Sequence, residues 1–150
     1  MDVTQALLLA THLLGATIWT GGHLILSTVI LPAALAARDP SILIAFEARY
    51  ERVGMPALGV QVASGLWLAG RLLGWDGDAW FDAGSPLARA VWAKLALLAA
   101  TAGLALNARL RVIPHLSART LPLMAAHVFA VTGLSVLFVI VGLFAGRGGL

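Results

Sequence analysis

No Asp, Glu, Lys or Arg interrupts the chain between Val3 and Ala37, and three further long, largely apolar stretches follow. A bilayer's hydrocarbon core takes about 20 apolar residues of helix to cross. The pattern therefore predicts four transmembrane helices, at about residues 4–31, 54–74, 87–112 and 120–145. Pro32 marks the end of the first or a kink in it. Between the first two spans, "SILIAFEARYERV" interleaves charge with Ile42, Ile44 and Phe46. That mixture predicts a short amphipathic helix lying at the membrane surface. The fold class is thus all-α: one antiparallel four-helix transmembrane domain over residues 1–150, with a short interfacial helix after helix one.

Composition supports lipid as the solvent. Only 11% of residues are charged and 60% are hydrophobic, with a mean hydropathy of +0.92, against about 25% charged in a soluble domain. The N-terminal run is too long for a signal-peptide core and no positive segment precedes it, so it is expected to remain as helix one. The net charge of +3 reads as orientation signal rather than as a nucleic-acid surface. Arg38, Arg49, Arg52, Arg109, Arg111 and Arg119 fall on connections one and three, whereas Arg71, Arg89 and Arg147 fall on the other side. This excess predicts both termini outside and connections one and three in the cytoplasm; the expected location is a bacterial cytoplasmic membrane, with the termini on its periplasmic side. The Gly/Asp-rich turn "GWDGDAWFDAGSP" reads as a solvated loop with Trp anchors. Gly54, Gly59, Gly65 and Gly70 allow close approach of a neighbouring helix, or of a second copy in a homodimer.

The chemistry rests on histidine. There is no cysteine, so iron–sulfur clusters and thiolate zinc sites are excluded. His12, His23 and His127 lie inside predicted spans, where an ionisable side chain is by default a functional hypothesis. His12 and His23 are eleven residues apart, which returns them to nearly one face, ~16 Å apart along the axis. Trp19 shares that stripe, and Gly15 and Gly22 beside it read as room for a flat macrocycle. His127 on helix four falls near the level of His23, and two facing imidazoles are a way to hold haem b. Gln61 falls at a similar depth and could bond the cofactor. Lys94 matches His12 at the outer level and could pair with a propionate, serve as an unusual ligand or snorkel to the interface; Arg109 could meet a propionate or anchor at the interface. His115 follows Pro114 at a helix end and reads as a surface residue before it reads as a ligand. Copper prefers imidazole with soft thioether ligands. Only Met1, Met55 and Met124 could supply them, with Met124 and His127 on one helix face.

"HLLGATIWTGG" (residues 12–22) and "VWAKLALLAATAGLALNARLRVIP" (residues 91–114) resemble the first- and third-helix segments of the copper resistance protein D (CopD) family. That resemblance implies copper handling. The His-x6-Trp and Trp-x-x-Lys elements are also similar to those of HemJ-type protoporphyrinogen oxidases, which are four-helix membrane proteins binding haem b. This second resemblance implicates His12, Trp19, Trp92 and Lys94. The expectation from the residues is a haem b-binding, quinone-linked membrane oxidoreductase or electron carrier. One haem would lie between His23 and His127, and a second haem or open iron near His12. The alternatives are a copper transport or delivery protein and a protoporphyrinogen-oxidase-like enzyme.

Overall fold

The computed structural model describes residues 2–146; Met1 among the sulfur ligands and Arg147 in the charge comparison lie outside the described residues. Four helices are long and apolar enough to cross a membrane. They are α1 (Val3–Ala37), α2 (Pro40–Leu73), α3 (Pro86–His115) and α4 (Leu121–Gly146). Each start has its own chemistry. Asp2, Asp39 and Ser85 accept hydrogen bonds from the backbone amides of Gln5, Ser41 and Ala88, satisfying donors that a helix start leaves open. Pro40 and Pro86 occupy the first helical turn, where a missing N–H does no harm. Bonds from Ser41 also hold the Asp39 carboxyl below its usual range.

Pro32 does not end α1. Leu26–Ile30 widen into a π turn instead, and the ring of a mid-helix proline clashes with the carbonyl four residues back, here Thr28. The wider turn relieves that clash and lets the helix continue. The same device recurs in α3, where Ala108–Val112 form a π turn ahead of Pro114. Helix α1 stops at Arg38, which adopts left-handed backbone angles (φ 52°, ψ 32°). The amides of Arg38 and Asp39 return to the carbonyls of Leu35 and Ala34, a closing pattern that favours glycine. The left-handed region is unfavourable for a side-chain-bearing residue by roughly 1–2 kcal/mol. Arg38→Gly should therefore raise stability by about 0.5–1 kcal/mol, after the added unfolded-state entropy, read as an upward shift in thermal unfolding.

The expected interfacial helix is not a separate element. Residues 40–53 continue directly into α2, which runs for 34 residues without a break. At 1.5 Å per residue that is ~51 Å, longer than the ~30 Å hydrocarbon core. No Gly or Pro separates Ser41 from Val53, so nothing stops the helix, and its apolar face has a partner. Leu43 is fully buried with Leu26, Leu31, Ala34, Val112, Met124, Ala125 and Val128, and Phe46 packs against this cluster. The arginine-rich end of the bundle is thus its best-packed part.

Pairing of the helices is uneven. Helix α1 lies along α2, α3 along α4, and α1 also meets α4, but α2 and α3 touch at only a few points. At the α1–α4 seam, Thr20 Oγ1 donates to Ser135 O (3.4 Å) and Thr132 Oγ1 to His23 O (3.2 Å). Interhelical bonds of this kind help hold helices where lipid offers no hydrophobic drive. Asp2 and Arg71 pair at 3.0 Å across the termini end of α1 and α2, both well exposed, so the pair contributes ~1 kcal/mol at most. Along the weakly closed α2–α3 side the bundle is hollow.

Candidate functional site: two cavities along an open seam

Two cavities follow one another along the hollow side, separated by a waist of Trp19, Leu58 and Leu98, which line both. The one nearer the termini has a volume of 260 Å³ and the one nearer the arginine-rich end 430 Å³. His12, Gln61 and Lys94 belong to the first; His23, Arg109 and His127 belong to the second. The histidine stripe of α1 therefore serves two compartments rather than one.

His12 and His23 are held alike. His12 Nδ1 lies 2.8 Å from the backbone oxygen of Gln61, and His23 Nδ1 lies 2.9 Å from that of Trp19. A carbonyl oxygen only accepts, so each Nδ1 carries the proton and each Nε2 keeps its lone pair. Neither Nε2 has a hydrogen-bond partner among the described residues. A backbone carbonyl on one ring nitrogen is the arrangement that orients a ligating histidine. His23 is further clamped by the rings of Trp19 (4.4 Å between centroids) and Tyr50 (5.8 Å, edge-on).

His127 differs. Its Nδ1 is 3.0 Å from Leu123 O and its Nε2 3.0 Å from the side-chain oxygen position of Asn107. Both ring nitrogens are in use. The cavity that holds His23 and His127 thus presents one open imidazole nitrogen, and a facing bis-histidine pair for haem b is not assembled. The glycines point the same way. Beside Gly15, the space that a methyl would take is filled by Ala57 O at 2.8 Å and Gln61 Cβ at 3.0 Å. Beside Gly22 it is filled by the Tyr50 ring. The small residues read as room for a macrocycle admit helix α2 instead. The residues present do not fit a bis-histidine haem.

Arg109 pairs with Glu51 at 2.7 Å across the α2–α3 gap, with both side chains more than half exposed, at the mouth of the larger cavity. Trp92 lines neither cavity; its indole N–H donates to Trp80 O at 2.8 Å, on the connection between α2 and α3. His115 is exposed at the end of α3, away from both cavities.

Three features escaped the sequence reading. Tyr50 reaches α1 and donates to the carbonyls of Ile18 and Trp19, 3.0 Å each. The signal was present: it is the one tyrosine of the chain, four residues before Gly54, and its ring packs over that glycine as well. Asn107 engages His127, and its position near the end of a hydrophobic span was readable as a polar contact. Glu47 lines the larger cavity although it had been read only as part of an interfacial charge pattern. That same cavity is lined by both Met55 and Met124. Met124 is 3% exposed. Among the described residues no group of three or more His, Cys, Asp or Glu gathers around one point.

No curated protein and no solved structure matches the chain. The family model described as copper resistance protein D matches residues 44–146. Those residues run from within the α2 extension to the end of α4 and bring in every lining residue of both cavities beyond α1. Well over half of the chain is covered, and this multi-pass membrane protein belongs to the copper resistance protein D family.

Proposed function

We propose that the chain handles copper as cargo, accepting a copper(I) ion in the larger, arginine-side cavity for transport or delivery. The observation that carries this reading is the company His23 keeps. Its oriented imidazole shares one cavity with Met55 and Met124, the methionines of the described residues. Imidazole and thioether suit copper(I), whereas they hold hard divalent cations poorly. Glu47 and Glu51 line the same cavity and favour entry of a cation at its mouth. Binding proceeds by exchange of the ion's carrier ligands for His23 Nε2 and the sulfurs, with no change of oxidation state. The family to which the chain belongs supports the same cargo.

The test is a competition titration of the detergent-purified protein with copper(I) against a chromogenic copper(I) chelator, alongside a visible spectrum before and after dithionite. One tightly held copper(I) per chain, lost in the double variant Met55→Leu/Met124→Leu, is the expected result. Purified protein that competes no better than empty detergent micelles, but shows a Soret band with split α and β bands on reduction, would overturn copper and restore haem.

A further inference from the structure

The smaller cavity has a chemistry of its own. Leu9, Leu66, Leu95 and Phe138 give it apolar walls, and it contains neither a sulfur nor a carboxylate. His12, Gln61 and Lys94 are its polar side chains, with the Trp19 indole at the waist. Two of these are seated by glycines. A methyl at Gly65 would lie 2.8 Å from the His12 ring, and one at Gly142 would lie 3.2 Å from Lys94 Nζ. A methyl at Gly65 would force the His12 ring to shift, whereas at Gly142 the Lys94 ammonium would need to give by only a few tenths of an ångström. Gln61 is 8% exposed, and its Oε1 is buried with no hydrogen-bond partner among the described residues. A buried amide oxygen left unmatched is unfavourable and asks for a donor. His12 Nε2 is a second acceptor in the same cavity, because its Nδ1 proton is committed to Gln61 O.

A cation is disfavoured here by the Lys94 ammonium, and an anionic head would meet two lone pairs. A hydroxylated, neutral head satisfies all three groups: its hydroxyl protons go to His12 Nε2 and Gln61 Oε1, and an oxygen accepts from Lys94. At 260 Å³ the cavity lies just below the ~300 Å³ at which pockets for drug-sized ligands begin. It has room for one ring, and a long tail must leave through the loosely closed α2–α3 seam into the membrane plane. We infer that this cavity is a binding site for a lipid-tailed hydroquinone. The inference uses other residues than the copper reading and stands or falls separately.

The experiment titrates a hydroquinone carrying a ten-carbon tail into the full chain in lipid nanodiscs, followed by calorimetry. Its dimethyl ether, which has lost both hydroxyl donors, is titrated in parallel. Saturable binding of one hydroquinone per chain is expected. The ether should bind about tenfold or more weakly, and Gln61→Leu should weaken the hydroquinone by a similar factor. Heat that rises linearly without saturation, or ether that binds the unaltered chain as tightly, would overturn the site. So would oleate binding more tightly than the hydroquinone and losing its affinity in Lys94→Gln, which would assign the cavity to an anionic acyl chain. The ether comparison is made on the unaltered protein and does not depend on any variant folding.

Discussion

Gly22→Ala is expected to unlock α1 from α2, while Gly21→Ala, one residue earlier, should leave the bundle intact. A methyl on Gly22 would fall inside the Tyr50 ring, whereas one on Gly21 meets nothing within 4 Å. Tyr50 cannot simply swing away, since its hydroxyl donates to Ile18 O and Trp19 O and its ring stacks on Phe46 at 5.6 Å. Overpacking of a tight contact typically destabilises by about 1–3 kcal/mol, and loss of the tyrosine hydrogen bonding adds about 0.5–1.5 kcal/mol. The sum, about 1.5–4.5 kcal/mol, should appear as a large fall in the thermal midpoint of the detergent-solubilised protein. Gly21→Ala should be neutral or slightly stabilising, because alanine is the better helix former. In a double-mutant cycle, Tyr50→Ala should remove most of the cost of Gly22→Ala. Equal sensitivity at Gly21 and Gly22 would contradict the packing.

The contrast between these neighbouring glycines shows which parts of the molecule its residues announce. Four spans were legible because Val3–Ala37 and its three counterparts are long and poor in charge, and lipid imposes that requirement on each span separately. The rotation of each helix was not. In lipid a leucine facing a tail and a leucine facing a neighbour are nearly equivalent, so periodicity carries little information about partners. For that reason the open α2–α3 seam and the division of His12 and His23 between two cavities left no trace in the apolar pattern. Trp19 lines both cavities, His12 one of them, and His23 and His127 the other. What the stripe could not convey was the state of each ring. Whether an imidazole nitrogen is open depends on one opposing atom, and Asn107 reaches His127 from twenty residues away in the chain. The fusion of residues 40–53 into α2 was missed for a different reason. Charge at Glu47, Arg49, Glu51 and Arg52 argued for the membrane surface, and that argument does not distinguish a helix lying flat from one projecting beyond the bilayer.

The unequal state of the two rings gives a further expected result. His23→Ala should lower copper(I) affinity by about a hundredfold or more, and His127→Ala by about tenfold at most. The first change removes the oriented Nε2 of a residue clamped between Trp19 and Tyr50. The second removes a ring whose nitrogens already serve Leu123 and Asn107, so the metal loses only a neighbour. Losing a directly coordinating group outweighs losing an orienting partner, which typically changes metal affinity about 10–100-fold. Asn107→Ala supplies the converse test, because it frees His127 Nε2 to join the cavity. Affinity in that variant should hold or rise while His23→Ala remains severely impaired, measured by chelator competition on protein with unchanged elution volume. A haem bridged by both imidazoles would instead be lost equally from His23→Ala and His127→Ala. Equal losses in the two variants would therefore count against His23 as the principal ligand, whichever metal was being followed.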